Sequence, residues 1–250
     1  MDKADEYETP IYVSDAMRPT GSPVSPHVST MVLTAVRWVV AMDLYQEVRD
    51  SDYAHIAKDE RQRLDVFLTP PQRRELVRLH RQVVAPYWRY ERDLKRKIRE
   101  GHVFSNDEIQ ESVVKRSQDA ILYGFLARCV YGFPEQLIEV VHVRQALEDI
   151  EDCFLDFVED VEAGEPNIFS MYLLGLSRPR DTWPETVRSL RHEAKFLDIE
   201  DRLSKFVREL YQRAKATPFL DLYPRLEKEL DREYLRFRGL FGKRPDHAIG

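Results

Sequence analysis

Residues 144–160 read Arg144-Gln145-Ala146-Leu147-Glu148-Asp149-Ile150-Glu151-Asp152-Cys153-Phe154-Leu155-Asp156-Phe157-Val158-Glu159-Asp160. No Gly or Pro interrupts the chain from Glu135 to Ala163, which predicts one long helix. At about 100° per residue, Glu148, Asp149, Asp152, Asp156, Glu159 and Asp160 fall within roughly one third of the circumference. Ile150, Phe154, Phe157, Val158 and Val161 lie on the far side. Like charges stacked at i,i+4 cost helix stability. The face therefore has two readings. It is a solvated acidic surface, or its repulsion is relieved by a divalent cation.

Outward from this stretch, the chain is helical in pattern. Residues 1–28 are rich in Pro, Ser and Asp and lack periodicity, so they read as an arm that is loose or packs as coil. A first helix is expected from Ser29 to Arg49, capped by Ser29 or Thr30. A second spans about Tyr53 to Leu68. Thr69, with Pro70 and Pro71 behind it, opens a third that runs to about Glu100 with a kink at Pro86. Ser105 and Glu108 form a capping box for a fourth, ending near Tyr131. Gly132 and Pro134 precede the acidic helix, and Gly164, Pro166 and Asn167 end it. An apolar segment, Ile168 to Leu176, a loop holding Arg178 and Arg180, and helices over residues 184–215 and 224–241 complete the chain. No strand and no internal repeat is apparent. The expected class is all-α: one antiparallel bundle of about eight helices over residues 29–241, with a loose tail over 242–250.

Composition narrows the function. The 250 residues carry a formal net charge of −6, which gives no electrostatic case for nucleic acid. The aromatic-basic mix of Tyr87, Trp88 and Tyr90 with Arg89, Arg92, Lys95, Arg96 and Lys97 reads as a solvated helix end. No apolar run is long enough to span a bilayer, so an integral membrane protein is not expected. Two cysteines, Cys129 and Cys153, sit in apolar helical patterns and read as reduced thiols. With no secretory signal at residues 1–8, the expected location is cytoplasmic.

The first helix repeats the gradient of the acidic one. Val32, Val36, Val39 and Val40 share a face with Asp43 and Glu47, as Ile138 and Val141 share one with Gln145 and the acids after it. A stripe that is apolar early and acidic late suits a pocket with a greasy floor and an acidic mouth, and equally suits core burial of the early turns. In an up-and-down bundle the first and fifth helices run parallel, which brings both acidic ends to one mouth. Mg²⁺ between them, bridging to phosphate oxygens, would fit a ligand with an apolar tail and a diphosphate head.

These residues resemble the class I isoprenoid synthases: trans-prenyltransferases, squalene and phytoene synthases and class I terpene cyclases. Gln145, Glu148, Asp149 and Asp152 match the second prenyltransferase motif, Gln-x-x-Asp-Asp-x-x-Asp, with Glu at its first acid. In another register, Asp156, Asp160 and Gly164 match the squalene and phytoene synthase pattern. Asp43 and Glu47 keep the outer pair of Asp-Asp-x-x-Asp. Lys115 stands about where the family places a diphosphate-binding Lys. Arg18-Pro19 resembles the Arg-Pro that follows a Gly-Gly-Lys motif, whose glycines and Lys are absent here. The resemblance spans about residues 29–169. It implies an isoprenoid-synthase-like fold and a Mg²⁺-dependent enzyme that ionises a prenyl diphosphate for cyclisation or condensation. The implied metal ligands are Asp43, Glu47, Glu148, Asp149, Asp152 and Asp156, with Asp43, Glu47, Asp149 and Asp152 catalytic and Lys115 on the diphosphate. Arg178, Arg180, His142, Tyr234, Arg236 and Arg238 are further candidates, each with an ordinary structural alternative. Two rival classes stay open: a non-catalytic or regulatory subunit of the same fold, and an unrelated helical interaction protein. The sequence is compatible with a homodimer or a partner subunit.

Overall fold

The computed structural model describes residues 15–23, 26–48, 51–173 and 194–242. Among these residues every regular element is helical and there is no strand. The class is all-α, as the periodicity predicts. The α-helices are α1 (Pro26–Val48), α2 (Ser51–Phe67), α3 (Pro70–Leu79), α4 (Ala85–Arg99), α5 (Asn106–Arg116), α6 (Asp119–Tyr131), α7 (Ile138–Leu155), α8 (Phe157–Ala163), α9 (Ile168–Leu173), α10 (Ala194–Lys215) and α11 (Pro224–Gly242). The chain divides into two compact units. One comprises residues 1–88, 119–138 and 217–228, the other residues 89–118, 139–216 and 229–250.

In the first unit α1 packs along α2, and α3 packs against α6. Val32, Ala35, Leu64, Leu76, Leu126, Phe133 and Leu226 are buried there. Each such side chain contributes about 1.5–3 kcal/mol by leaving water. Gly124 admits Ile138 closely, since a Cβ at that position would stand 2.7 Å from Ile138 Cγ1. In the arm, Ala16 and Met17 are buried, and Arg18 turns back onto the Ser22 carbonyl.

In the second unit α5 packs against α9, and α9 follows directly on α8. Leu94, Ile109, Val113, Leu147, Ile150, Phe169, Leu203, Val207 and Leu230 are buried. The second unit also contains the acidic helix.

Four boundaries differ from expectation. α1 begins at Pro26 rather than Ser29, with proline in the first turn where its missing N–H costs nothing. The third expected helix does not simply kink at Pro86. A π-helical segment, His80–Val84, joins α3 to α4, and the Ala85 N–H bonds to the His80 carbonyl. One wide turn thus absorbs the proline, which has no N–H to continue the α ladder. The expected helix from Ser105 to Tyr131 is two. It breaks at Ser117 (φ −89°, ψ 14°), whose hydroxyl lies 3.0 Å from the Val113 carbonyl. The acidic helix is also divided, at Asp156 (φ −90°, ψ 8°), into α7 and α8. Gly164 then closes α8 at φ +74°, where a side chain would be strained, and the Glu165 N–H reaches the Asp160 carbonyl at 2.8 Å.

Two expected features were confirmed in detail. Thr69 caps α3 with its N–H held by Gln72 Oε1 at 2.8 Å. Ser105 and Glu108 form their reciprocal box at 2.9 and 3.2 Å. The loop with Arg178 and Arg180, the first part of the helix expected over residues 184–215 and the tail from residue 243 lie outside the described residues.

Candidate functional site

The acidic face is positioned from beneath by the apolar side of α7. Val140, Val141, Val143, Ala146, Leu147, Ile150 and Cys153 are buried, which fixes the rotation of the helix. Arg144 is buried with them, at 3% exposure. Its guanidinium pairs with both carboxylate oxygens of Glu148, Nη2 to Oε1 at 2.9 Å. It also lies 3.7 Å from Glu233 of α11, itself buried at 1% exposure. Glu233 receives Arg232 at 2.8 Å and Arg236 at 3.4 Å, and Arg236 extends to Glu151 at 3.9 Å. Burial pushes the Glu148 pKa up, and the Arg144 charge only partly opposes it.

Asp149 is oriented from the end of α5. Ser117 Oγ donates to its Oδ2 at 2.6 Å, and Gln145 Nε2 donates to its Oδ1 at 3.0 Å. Each Asp149 oxygen keeps a further lone pair, so the carboxylate is held in place and still able to accept. Asp152 differs. Among the described residues its carboxylate has no hydrogen-bond or ion-pair partner. Partial desolvation, and then the charges of Glu148, Asp149, Asp156 and Glu151, push its pKa up to about 7. Its side chain still meets water. Asp160 in the first turn of α8 accepts from Asn167 Nδ2 at 2.8 Å. Its pKa is raised by burial, while Asn167 and Arg116 pull the other way.

The remaining candidates take ordinary places. Lys115 Nζ pairs with Glu111 at 2.7 Å and lies 4.3 Å above the Tyr90 ring. The neighbouring Arg116, about 100° further round the helix, is the cation on the acidic side, with Nη1 3.0 Å from Cys153 Sγ. His142 Nε2 bonds to the Val114 carbonyl at 2.7 Å. Tyr234 stacks on Tyr211 at 3.9 Å between ring centres. Asp43 and Glu47 belong to α1 of the first unit, and their side chains lie outside the described residues, as does that of Asp119. Val32, Val36 and Val141 are 0–2% exposed, so these members of the two apolar stripes are sealed in protein.

Sequence reasoning missed Ser117, Arg116 and Asn167. The signals were present but weak: a Ser at the end of a basic turn, and an Asn just past a Gly-x-Pro stop.

Among the described residues no group of three or more His, Cys, Asp or Glu side chains is arranged to hold a metal ion. Mg²⁺, however, commonly takes only one or two carboxylates, with waters and substrate phosphates completing its shell. A pair drawn from Asp149, Asp152 and Asp156 fits that habit: all offer hard oxygens, Asp149 is pre-oriented, and Asp152 has no donor among the described residues. Glu148 would have to exchange Arg144. No helix among the described residues is long and apolar enough to cross a membrane. Compared with known protein families, curated proteins and solved structures, the chain matches none.

Proposed function

We propose that the acidic face of α7 is a Mg²⁺ and diphosphate site, and that the protein is a class I isoprenoid synthase-like enzyme acting on a prenyl diphosphate. The observation that carries this reading is Asp152. It is a carboxyl among four anionic neighbours, with no donor among the described residues and a pKa of about 7. Without a cation that placement is unfavourable. Two of Asp149, Asp152 and Asp156 would hold the metal, with waters and the diphosphate completing its shell. Bound Mg²⁺ supplies positive charge for the departing diphosphate. The chain's own residues prepare for that. Ser117 and Gln145 fix the Asp149 oxygens, and Arg144 pairs with both oxygens of Glu148. Arg116 places a permanent cation near Asp160.

A second reading, a non-catalytic subunit of the same class, is favoured by one observation. Val32, Val36 and Val141 are sealed rather than open to a ligand.

Thermal unfolding with Mg²⁺ and inorganic diphosphate, separately and together, tests the site. At about 100 times the dissociation constant a ligand adds about 2.7 kcal/mol. For a chain of this size that raises Tm by about 5–10 °C. The site reading expects this rise with both ligands in the wild type and its loss in Asp152→Asn. A wild type indifferent to both ligands contradicts it.

A further inference from the structure

The break between α7 and α8 has an identifiable cause. Asn167 is fully buried, and every polar group of its side chain is engaged. Its Nδ2 donates to the Cys153 carbonyl at 2.6 Å and to Asp160 Oδ2 at 2.8 Å. Its Oδ1 accepts from the N–H groups of Phe169 and Ser170 at 3.0 and 3.4 Å, which caps α9. In an unbroken α-helix the Cys153 carbonyl would accept from the Phe157 N–H. The rung before it is kept, Asp156 N–H to the Asp152 carbonyl, and the ladder resumes with Asp160 N–H to the Asp156 carbonyl, both at 2.8 Å. The side-chain amide has thus taken the carbonyl at the first rung of the gap, a recognised cause of a helix break.

The break falls within the row of acids. In one straight helix Asp149, Asp152, Asp156 and Asp160 would share a face. Here Asp149 and Asp152 belong to α7, Asp156 is the hinge residue, and Asp160 is claimed by Asn167. We infer that Asn167 is a positioning residue for the acidic row: by holding the Cys153 carbonyl and the Asp160 carboxylate together, it keeps α7 and α8 apart at Asp156 and so decides which carboxylates can share a cation. This rests on the cation-site reading above. Asn167 is not itself a ligand, because its side-chain oxygen and its amide are already used within the fold.

Asn167→Ser separates the two roles. Serine is a good helix cap but is too short to reach the Cys153 carbonyl and has no second donor for Asp160. With only two cysteines in the chain, the Cys153 carbonyl carbon can be labelled selectively and its hydrogen-bond partner read by scalar coupling across the bond. In the metal-free wild type the coupling runs to the Asn167 side-chain nitrogen. In the serine variant it is expected to move to the Phe157 amide, and the Kd for Mg²⁺ alone, by calorimetry, is expected to rise at least tenfold. Absence of the wild-type coupling, failure of the Phe157 bond to form in the folded variant, or its formation with unchanged Mg²⁺ affinity overturns the inference. Asn167→Asp, which keeps the cap and cannot donate, gives the same test if the serine variant does not fold. A wild type that binds no Mg²⁺ overturns the cation-site reading instead, and the couplings then decide on their own whether Asn167 holds the break.

Discussion

At the scale of single residues, Asp152 carries the most information. A carboxyl whose folded pKa is about 7 stands well above the value of an unfolded Asp, about 3.9. Below the unfolded value both states are protonated and the site costs nothing. Between about pH 4 and pH 7 the folded state holds a proton that the unfolded state has released, so stability falls as pH rises through that window. Above it the penalty is constant. Because Asp152 meets water, screening reduces the penalty to about 1 kcal/mol. Asp152→Asn is therefore expected to raise Tm by about 2–4 °C at pH 8 and to leave it unchanged at pH 4, in metal-free buffer. Equal shifts at both pH values would mean that charge repulsion is not the cause. Asp149 is the contrasting case, an acid in the same row whose two oxygens are already met by donors.

Between elements, two side chains outside α7, Ser117 and Asn167, do most to shape the acidic row. Ser117 ends α5 and holds Asp149, so Ser117→Ala removes a buried hydroxyl from both tasks. The expected loss is about 1–2 kcal/mol in chemical denaturation, although alanine is the better helix former. A neutral or stabilising outcome would show that the Asp149 contact contributes nothing to the fold. These same residues mark the limit of what the sequence discloses. Helical class, the Thr69 and Ser105 caps and the stop at Gly164 are local, written in spacing and in side chains that bond within a turn. The breaks at Ser117 and Asp156 are not local, since they depend on hydrogen bonds to residues 32 and 14 positions away. Lys115 and Arg116 show the same limit at the site. Periodicity marks a basic turn, but which of two adjacent cations lies on the acidic side depends on how α5 packs. The π segment before Pro86 is an intermediate case, where the proline signals a disturbance without specifying its form.

For the whole molecule, a formal charge of −6 is carried by a fold that neutralises some of its acids and leaves others exposed. Within the second unit, Glu233 takes Arg144, Arg232 and Arg236, so α7 and α11 are joined by buried charges. Removing Glu233 takes an acidic partner from the buried Arg144, which keeps Glu148, and Glu233→Ala is expected to cost about 3 kcal/mol. Circular dichroism during urea unfolding would register that loss. A change below about 0.5 kcal/mol would show that the arginines find other partners. Asp43 and Glu47 fall in the first unit and the α7 acids in the second, so function is the arbiter of whether the two motifs act together. The most direct measurement is turnover of geranyl, farnesyl and geranylgeranyl diphosphates with Mg²⁺, followed by diphosphate release and by extraction of the hydrocarbon product. Mg²⁺-dependent release from at least one substrate by the wild type, abolished in Asp152→Ala, is the expected result, and the Asp43→Ala variant reports whether the two motifs act together. No release from any of the three, with the wild type indistinguishable from Asp152→Ala, would contradict the proposed enzyme.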